Sequence, residues 1–127
     1  MTCGTLLLID DEPAITRLMK RVAEECGYDV VATTDADIFK QHVHDDGLAL
    51  ICLDLAMPGT DGIELLRFLA DESCKCRVLV MSGSDRQWLH TALRLAEALG
   101  LDIAGSIPKP LQIEKLRTLL VALCRPG

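Results

Sequence analysis

Thr5-Leu6-Leu7-Leu8-Ile9-Asp10-Asp11-Glu12-Pro13 is the stretch on which the reading of the fold turns. Thr5 to Ile9 is an apolar run with no polar alternation, the pattern of a strand buried on both faces. It stops abruptly at three acids. Pro13 fits the first position of a helix, where its missing N–H leaves nothing unsatisfied. Asp10, Asp11 and Glu12 read either as an N-cap and first-turn acids for that helix or as ligands at the end of a strand. The two readings are compatible.

Runs of the same kind recur at Tyr28 to Ala32, Leu48 to Leu53, Arg77 to Met81 and Leu101 to Ile107. Helical spacing fills the gaps. Ile15, Leu18, Met19, Val22, Ala23 and Cys26 lie on one face, and Gly27 supplies a stop. Ile63, Leu66, Phe68, Leu69 and Ala70 mark another helix, and Leu89, Ala92, Leu93, Ala96 and Leu99 a further one that closes at Gly100. Ile113, Leu116, Leu119, Leu120 and Leu123 mark the last. The weakest pattern runs from Ala36 to His44, with only Ile38, Phe39 and Val43 to bury. Strand and helix alternate five times, which predicts an α/β fold with a parallel sheet covered by helices on both faces. No linker interrupts the alternation, so residues 1–127 read as one domain, with Pro126-Gly127 a tail or the start of a linker.

A chain of 127 residues supports a single core. Half its residues are hydrophobic and aromatics are scarce, so that core must be aliphatic. The net charge of −6, with Lys and Arg scattered, argues against nucleic-acid binding by this chain. Six cysteines are present. Four sit in apolar runs or helical faces, where Cys behaves as a small hydrophobe; the expectation is reduced thiols and a cytoplasmic location. Cys74 and Cys76 have no second pair or histidine cluster to complete a zinc site. No signal peptide is visible. No stretch approaches the roughly 20 apolar residues of a membrane span.

In open α/β sheets, ligands bind beyond the carboxyl ends of the strands. There the first strand runs into Asp10, Asp11 and Glu12, the third delivers Asp54, the fourth Ser82, and Lys109 follows the fifth. Converging carboxylates repel one another unless a cation sits among them. Hard oxygen ligands suit Mg²⁺, which orients and neutralises a transferring phosphoryl group. One carboxylate can act as nucleophile and form an acyl phosphate. A lysine ammonium and a serine hydroxyl can contact that group. Taken singly, Asp54 could be a turn acid, Lys109 ordinary surface, and Asp61 a helix N-cap. His42, His44 and His90 fit no site pattern.

Leu8-Ile9-Asp10-Asp11-Glu12-Pro13, Leu53-Asp54-Leu55-Ala56-Met57-Pro58-Gly59-Thr60-Asp61-Gly62, Val80-Met81-Ser82-Gly83 and Lys109-Pro110 together resemble the receiver domains of two-component response regulators (CheY-like) over nearly the whole chain. The resemblance implies a flavodoxin-like, doubly wound (βα)5 sheet of strand order 2-1-3-4-5. It implies Asp54 as phosphoacceptor, Ser82 and Lys109 as contacts to the phosphoryl group, and Mg²⁺ held by Asp10, Asp11, Asp54 and the backbone carbonyl of Ala56. It implies a sensor histidine kinase as phosphodonor, a conformational switch as output, and no enzymatic activity beyond self-phosphotransfer and autodephosphorylation. The chain departs from the family at Ser106, where many receivers carry Tyr or Phe, and at Leu111, which replaces a Phe. The stretch from Ser82 to Lys109 is longer than in compact receivers and is similar to receivers attached to EAL-type cyclic-di-GMP phosphodiesterase domains. Ala56 and Ser84 stand where the family tunes autodephosphorylation. Two other readings are a degenerate receiver that takes no phosphate and a phosphohydrolase with an aspartyl nucleophile. The presence of all of Asp10, Asp11, Asp54, Ser82 and Lys109 opposes the first, although Ser106 leaves room for it. Ala56, where such hydrolases carry a second Asp, opposes the other.

Overall fold

The computed structural model describes residues 2–55, 62–83 and 85–124. Its strands are β1 (Thr5–Ile9), β2 (Asp29–Thr33), β3 (Leu48–Asp54), β4 (Arg77–Ser82) and β5 (Asp102–Pro108). The helices between and after them are α1 (Pro13–Glu25), α2 (Ala36–His42), α3 (Gly62–Asp71), α4 (Arg86–Ala98) and α5 (Ile113–Leu123). Every strand pairing is parallel, and the sheet order is β2-β1-β3-β4-β5. This is the doubly wound arrangement expected from the sequence.

The period of two along each strand explains why unbroken apolar runs were needed. Leu7, Ile9, Ile51, Leu53, Val78 and Val80 face one way and pack with Phe39, Leu65, Leu66, Leu69, Ala92 and Ala96 of α2, α3 and α4. Leu6, Leu8, Leu50, Cys52, Leu79 and Met81 face the other way and pack with Met19, Val22, Ala23, Leu116 and Leu120 of α1 and α5. A polar residue at any of these positions would lose roughly 1.5–3 kcal/mol of apolar burial before its own desolvation is counted. Phe39 explains how the weakly patterned α2 holds: this one side chain is fully buried. The helix ends at His42, short of the expected His44. Its N-cap is Asp35, whose carboxylate accepts from the N–H groups of Asp37 and Ile38 at 2.7 and 3.3 Å.

Two central strands run one residue further than expected. β3 includes Asp54 and β4 includes Ser82. Backbone bonds extend the ladder there: Leu55 N–H donates to the Met81 carbonyl at 3.0 Å, and Lys109 N–H to the Ser82 carbonyl at 2.8 Å. The polar site residues are therefore held by rigid sheet. Gly62 opens α3 against Leu55, where a Cβ would lie 2.9 Å from the Leu55 Cα. Only glycine allows the helix to start so close to the strand.

One expectation is overturned. Cys3 and Cys124 are joined by a disulfide, with Cα atoms 5.0 Å apart, so the thiols are not all reduced. Cys26, Cys52, Cys74 and Cys76 are free. The partners lie 121 residues apart in sequence, which hides their proximity. α5 returns from the carboxyl edge of the sheet to the edge where β1 begins, bringing its last residues onto the first. Around this junction the Tyr28 hydroxyl donates to the Leu120 carbonyl at 2.8 Å, and Arg117 pairs with Glu25 at 2.9 Å. Among the described residues, no helix is long and apolar enough to cross a membrane.

Candidate functional site

Three of the expected side chains meet at the carboxyl edge. Asp10 and Asp54 are completely buried. The Lys109 ammonium lies 2.8 Å from Oδ2 of each, and 3.4 Å from Oε1 of Glu12. It donates a hydrogen bond to Asp54. Lys109 reaches this point because β5 lies beside β4, with Pro108 in register with Ser82. Asp54 is in register with Met81, which places buried Ser82 one residue beyond it on the neighbouring strand.

The acids after β1 divide their work. Oδ1 of Asp10 accepts the Glu12 N–H at 2.9 Å, turning the chain into α1. Glu12 occupies the N-cap position, makes no side-chain cap bond, and Pro13 takes the first turn as expected. No acid lies in that turn, so the capping interpretation of Asp10, Asp11 and Glu12 fails as a bond to the helix. Their ligand oxygens instead lie within 4.8 Å of one another.

Burial pushes the Asp10 carboxyl above the usual carboxylate value; Lys109 and the Glu12 N–H pull it back only in part. Burial by itself would lower the Lys109 ammonium, but the carboxylates of Asp10 and Asp54 outweigh it and hold that ammonium above the ordinary lysine value. The Asp10 Oδ2 atom, though close to Lys109, makes no aligned hydrogen bond among the described residues. Four acids, Asp10, Asp11, Glu12 and Asp54, beside a single ammonium leave negative charge in excess. That donor set fits a hard divalent cation.

The metal set implied by the family resemblance omits Glu12, which the strand-end reading places with Asp10 and Asp11. Its adjacency to Asp10 and Asp11 was the available signal. Asp54 lies outside the grouped oxygens, and its Oδ2 accepts from Lys109. The expected carbonyl of Ala56, the Met57 to Asp61 turn and Ser84 lie outside the described residues. His42 and His44 pair at the surface with Asp45 and Glu72, and His90 is exposed on α4.

Comparison with known proteins accords with this geometry. The response regulator receiver domain family matches residues 6–121. A response regulator from Colwellia psychrerythraea superposes with a TM-score of 0.87 at 30% identity, covering 97% of this chain and 98% of that one. The transcriptional regulatory protein FixJ of Bradyrhizobium diazoefficiens is 27% identical over 98% of this chain and 58% of FixJ. The alkaline phosphatase synthesis transcriptional regulatory protein PhoP of Bacillus subtilis is 25% identical over 94% of this chain and 48% of PhoP. The chain belongs to the response regulator receiver domain family. It is a signalling module of two-component systems, and such domains generally bind Mg²⁺ at an acidic pocket. It spans about half the length of the curated relatives it matches. Those two are transcriptional regulators, so they lend no support to an EAL-type output.

Proposed function

We propose that Asp54 accepts a phosphoryl group from a sensor histidine kinase and that the resulting charge switches the domain between two conformations. The observation that carries this reading is the ammonium of Lys109 shared at 2.8 Å between two fully buried carboxylates at the carboxyl edge of the sheet. Asp54 supplies the nucleophilic oxygen. Lys109 can follow the phosphoryl group as a point charge, exchanging its contact with the carboxylate for one with a phosphoryl oxygen. The Ser82 hydroxyl can donate to another of those oxygens. Asp10, Asp11 and Asp54 would hold Mg²⁺ together with the Ala56 carbonyl, and Glu12 stands near enough to assist through water. The metal, when bound, neutralises charge on the transferring group.

The domain is a switch and turns over no separate substrate. It acts in the cytoplasm, where a kinase's phosphohistidine can reach it, as one module of a longer regulator. The curated relatives favour a transcriptional output module beyond these 127 residues. Phosphorylation biases pre-existing states through contacts made in one of them and not in the other.

The test is labelling with acetyl phosphate and Mg²⁺, read by intact mass. The wild type should gain one phosphoryl group. Asp54→Asn should gain none while keeping its circular dichroism spectrum. Labelling of Asp54→Asn at the wild-type rate would end the proposal.

A further inference from the structure

Ser106 stands where many receivers carry an aromatic ring, and beside it lies a cavity of about 420 Å³. Ser82, Arg86, Leu89, Ser106, Pro108 and Lys109 line it. It therefore joins the phosphoryl-contacting pair, Ser82 and Lys109, to the first residue of α4. We propose that Arg86 couples phosphorylation to α4: its guanidinium enters this cavity when Asp54 carries a phosphoryl group and draws the start of the helix with it. The inference rests on the phosphoacceptor reading of Asp54.

Three observations carry it. Arg86 is exposed and has no ion-pair partner among the described residues. It begins α4, whose first turn contains no acid, so a fixed cation there opposes the helix dipole. Its present position is thus poorly compensated, apart from the neighbouring N-cap Asp85, whose carboxylate is engaged with the Trp88 N–H at 2.9 Å. Ser82 is 4% exposed as a residue and lines the cavity, so its hydroxyl is a donor available on the cavity wall. The cavity has room for a guanidinium, because Ser106 presents only a hydroxymethyl group.

The chemistry selects an anion as what draws Arg86 inward. A phosphoryl group on Asp54 adds between one and two negative charges and three acceptor oxygens beside Lys109. Lys109 is already shared among Asp10, Glu12 and Asp54, and beside it, Ser82 and the metal, a guanidinium adds charged donors on the α4 side of the group. Arginine offers a planar fork of donors suited to phosphoryl oxygens, and its methylene stem can lie along Leu89 and Pro108. Arg86 is a positioning residue on this account, transmitting the charge at Asp54 to the helix.

Trp88, the chain's only tryptophan, sits two residues along the same helix turn and reports its position. The experiment titrates the 127-residue chain with beryllofluoride and Mg²⁺. Bound beryllofluoride is followed by fluorine NMR and α4 by Trp88 emission. The wild type should show a bound fluorine signal and a saturable change in emission. Arg86→Ala should still bind at saturation, with affinity weakened about tenfold as expected for one charge-assisted hydrogen bond, and its emission change should be lost. Arg86→Lys should recover part of both, and Arg94→Ala, an exposed change on the same helix, should alter neither. Unchanged affinity and emission in Arg86→Ala would overturn the inference. So would a wild type that binds beryllofluoride without any response at Trp88. Absence of a bound fluorine signal in the wild type would instead remove Asp54 as phosphoacceptor, and the coupling with it.

Discussion

Lys109 Nζ lies 2.8 Å from Oδ2 of Asp54, two side chains separated by 55 positions in the chain and carried on β3 and the end of β5. The same ammonium touches Asp10 at the same distance. It is thus the cation that allows two carboxylates to remain buried side by side.

Replacing Lys109 by Met should therefore destabilise the metal-free domain by about 3 kcal/mol, since removing one partner leaves the others buried and uncompensated. Millimolar Mg²⁺ should restore part of this loss by supplying the missing positive charge. Urea unfolding with and without Mg²⁺ measures both effects. A loss of equal size in the two conditions would mean that Lys109 and the metal do not answer to the same carboxylates.

Lys109→Ala should weaken the conformational response to beryllofluoride more than it weakens Mg²⁺ binding. Trp88 emission and metal titration separate the two. If both fell in proportion, the lysine would belong to the metal site alone.

The bond between Cys3 and Cys124 closes nearly the whole chain into a loop. By the loop-entropy account its removal should cost about 3–5 kcal/mol. Thiol counting in denaturant should find four reactive thiols in the unreduced protein and six after reduction, as four cysteines are free. Cys3→Ser should unfold at lower urea than the unreduced wild type and match the reduced form. Six reactive thiols without reductant would contradict the pairing.

Tyr28 gives a pH signature. Its hydroxyl is buried and donates to the Leu120 carbonyl, and burial raises its pKa from 10.0 to about 12. A raised folded-state value favours the protonated form. This contribution is fully present below pH 10 and is lost as pH rises through about 12. Urea midpoints should fall across that window, and Tyr28→Phe should flatten the fall while lowering stability by about 1 kcal/mol at neutral pH for the lost hydrogen bond. An unaltered alkaline slope in Tyr28→Phe would assign the effect elsewhere.

Gly62→Ala should destabilise by about 1–3 kcal/mol, the usual cost of forcing extra volume into a packed contact, because the new methyl meets Leu55 backbone at 2.9 Å. Since Leu55 follows Asp54 directly, phosphorylation should slow as well. Thermal unfolding and acetyl-phosphate labelling check the two effects; a wild-type melting temperature would show that the helix start can shift freely.

Most of the architecture was legible because each central strand is buried on both faces. Leu6 to Ile9 and Val78 to Met81 admit no polar residue, so their apolar runs could be read without any knowledge of pairing. Asp10, Asp54 and Lys109 were legible for a related reason: Asp10 and Asp54 stand at the carboxyl ends of such strands, Lys109 follows the edge strand β5, and the parallel fold aligns those ends. What escaped was whatever depends on helices meeting across the chain. Cys3 and Cys124 approach only because α5 folds back along α1. Glu12 stayed ambiguous between cap and ligand in the sequence, because its spacing suits both; its carboxylate makes no cap bond and groups with those of Asp10 and Asp11.

A cation fixed to the backbone cannot be diluted. Dissolved ions screen exposed charges over about 8 Å at physiological ionic strength, which blunts surface pairs such as Arg117 with Glu25. They have little access to an ammonium whose side chain is 16% exposed between carboxylates wholly shut away from water. The pocket consequently keeps its own internal counter-charge in brine or in fresh water, and the Asp54 carboxylate is held in place with no metal present.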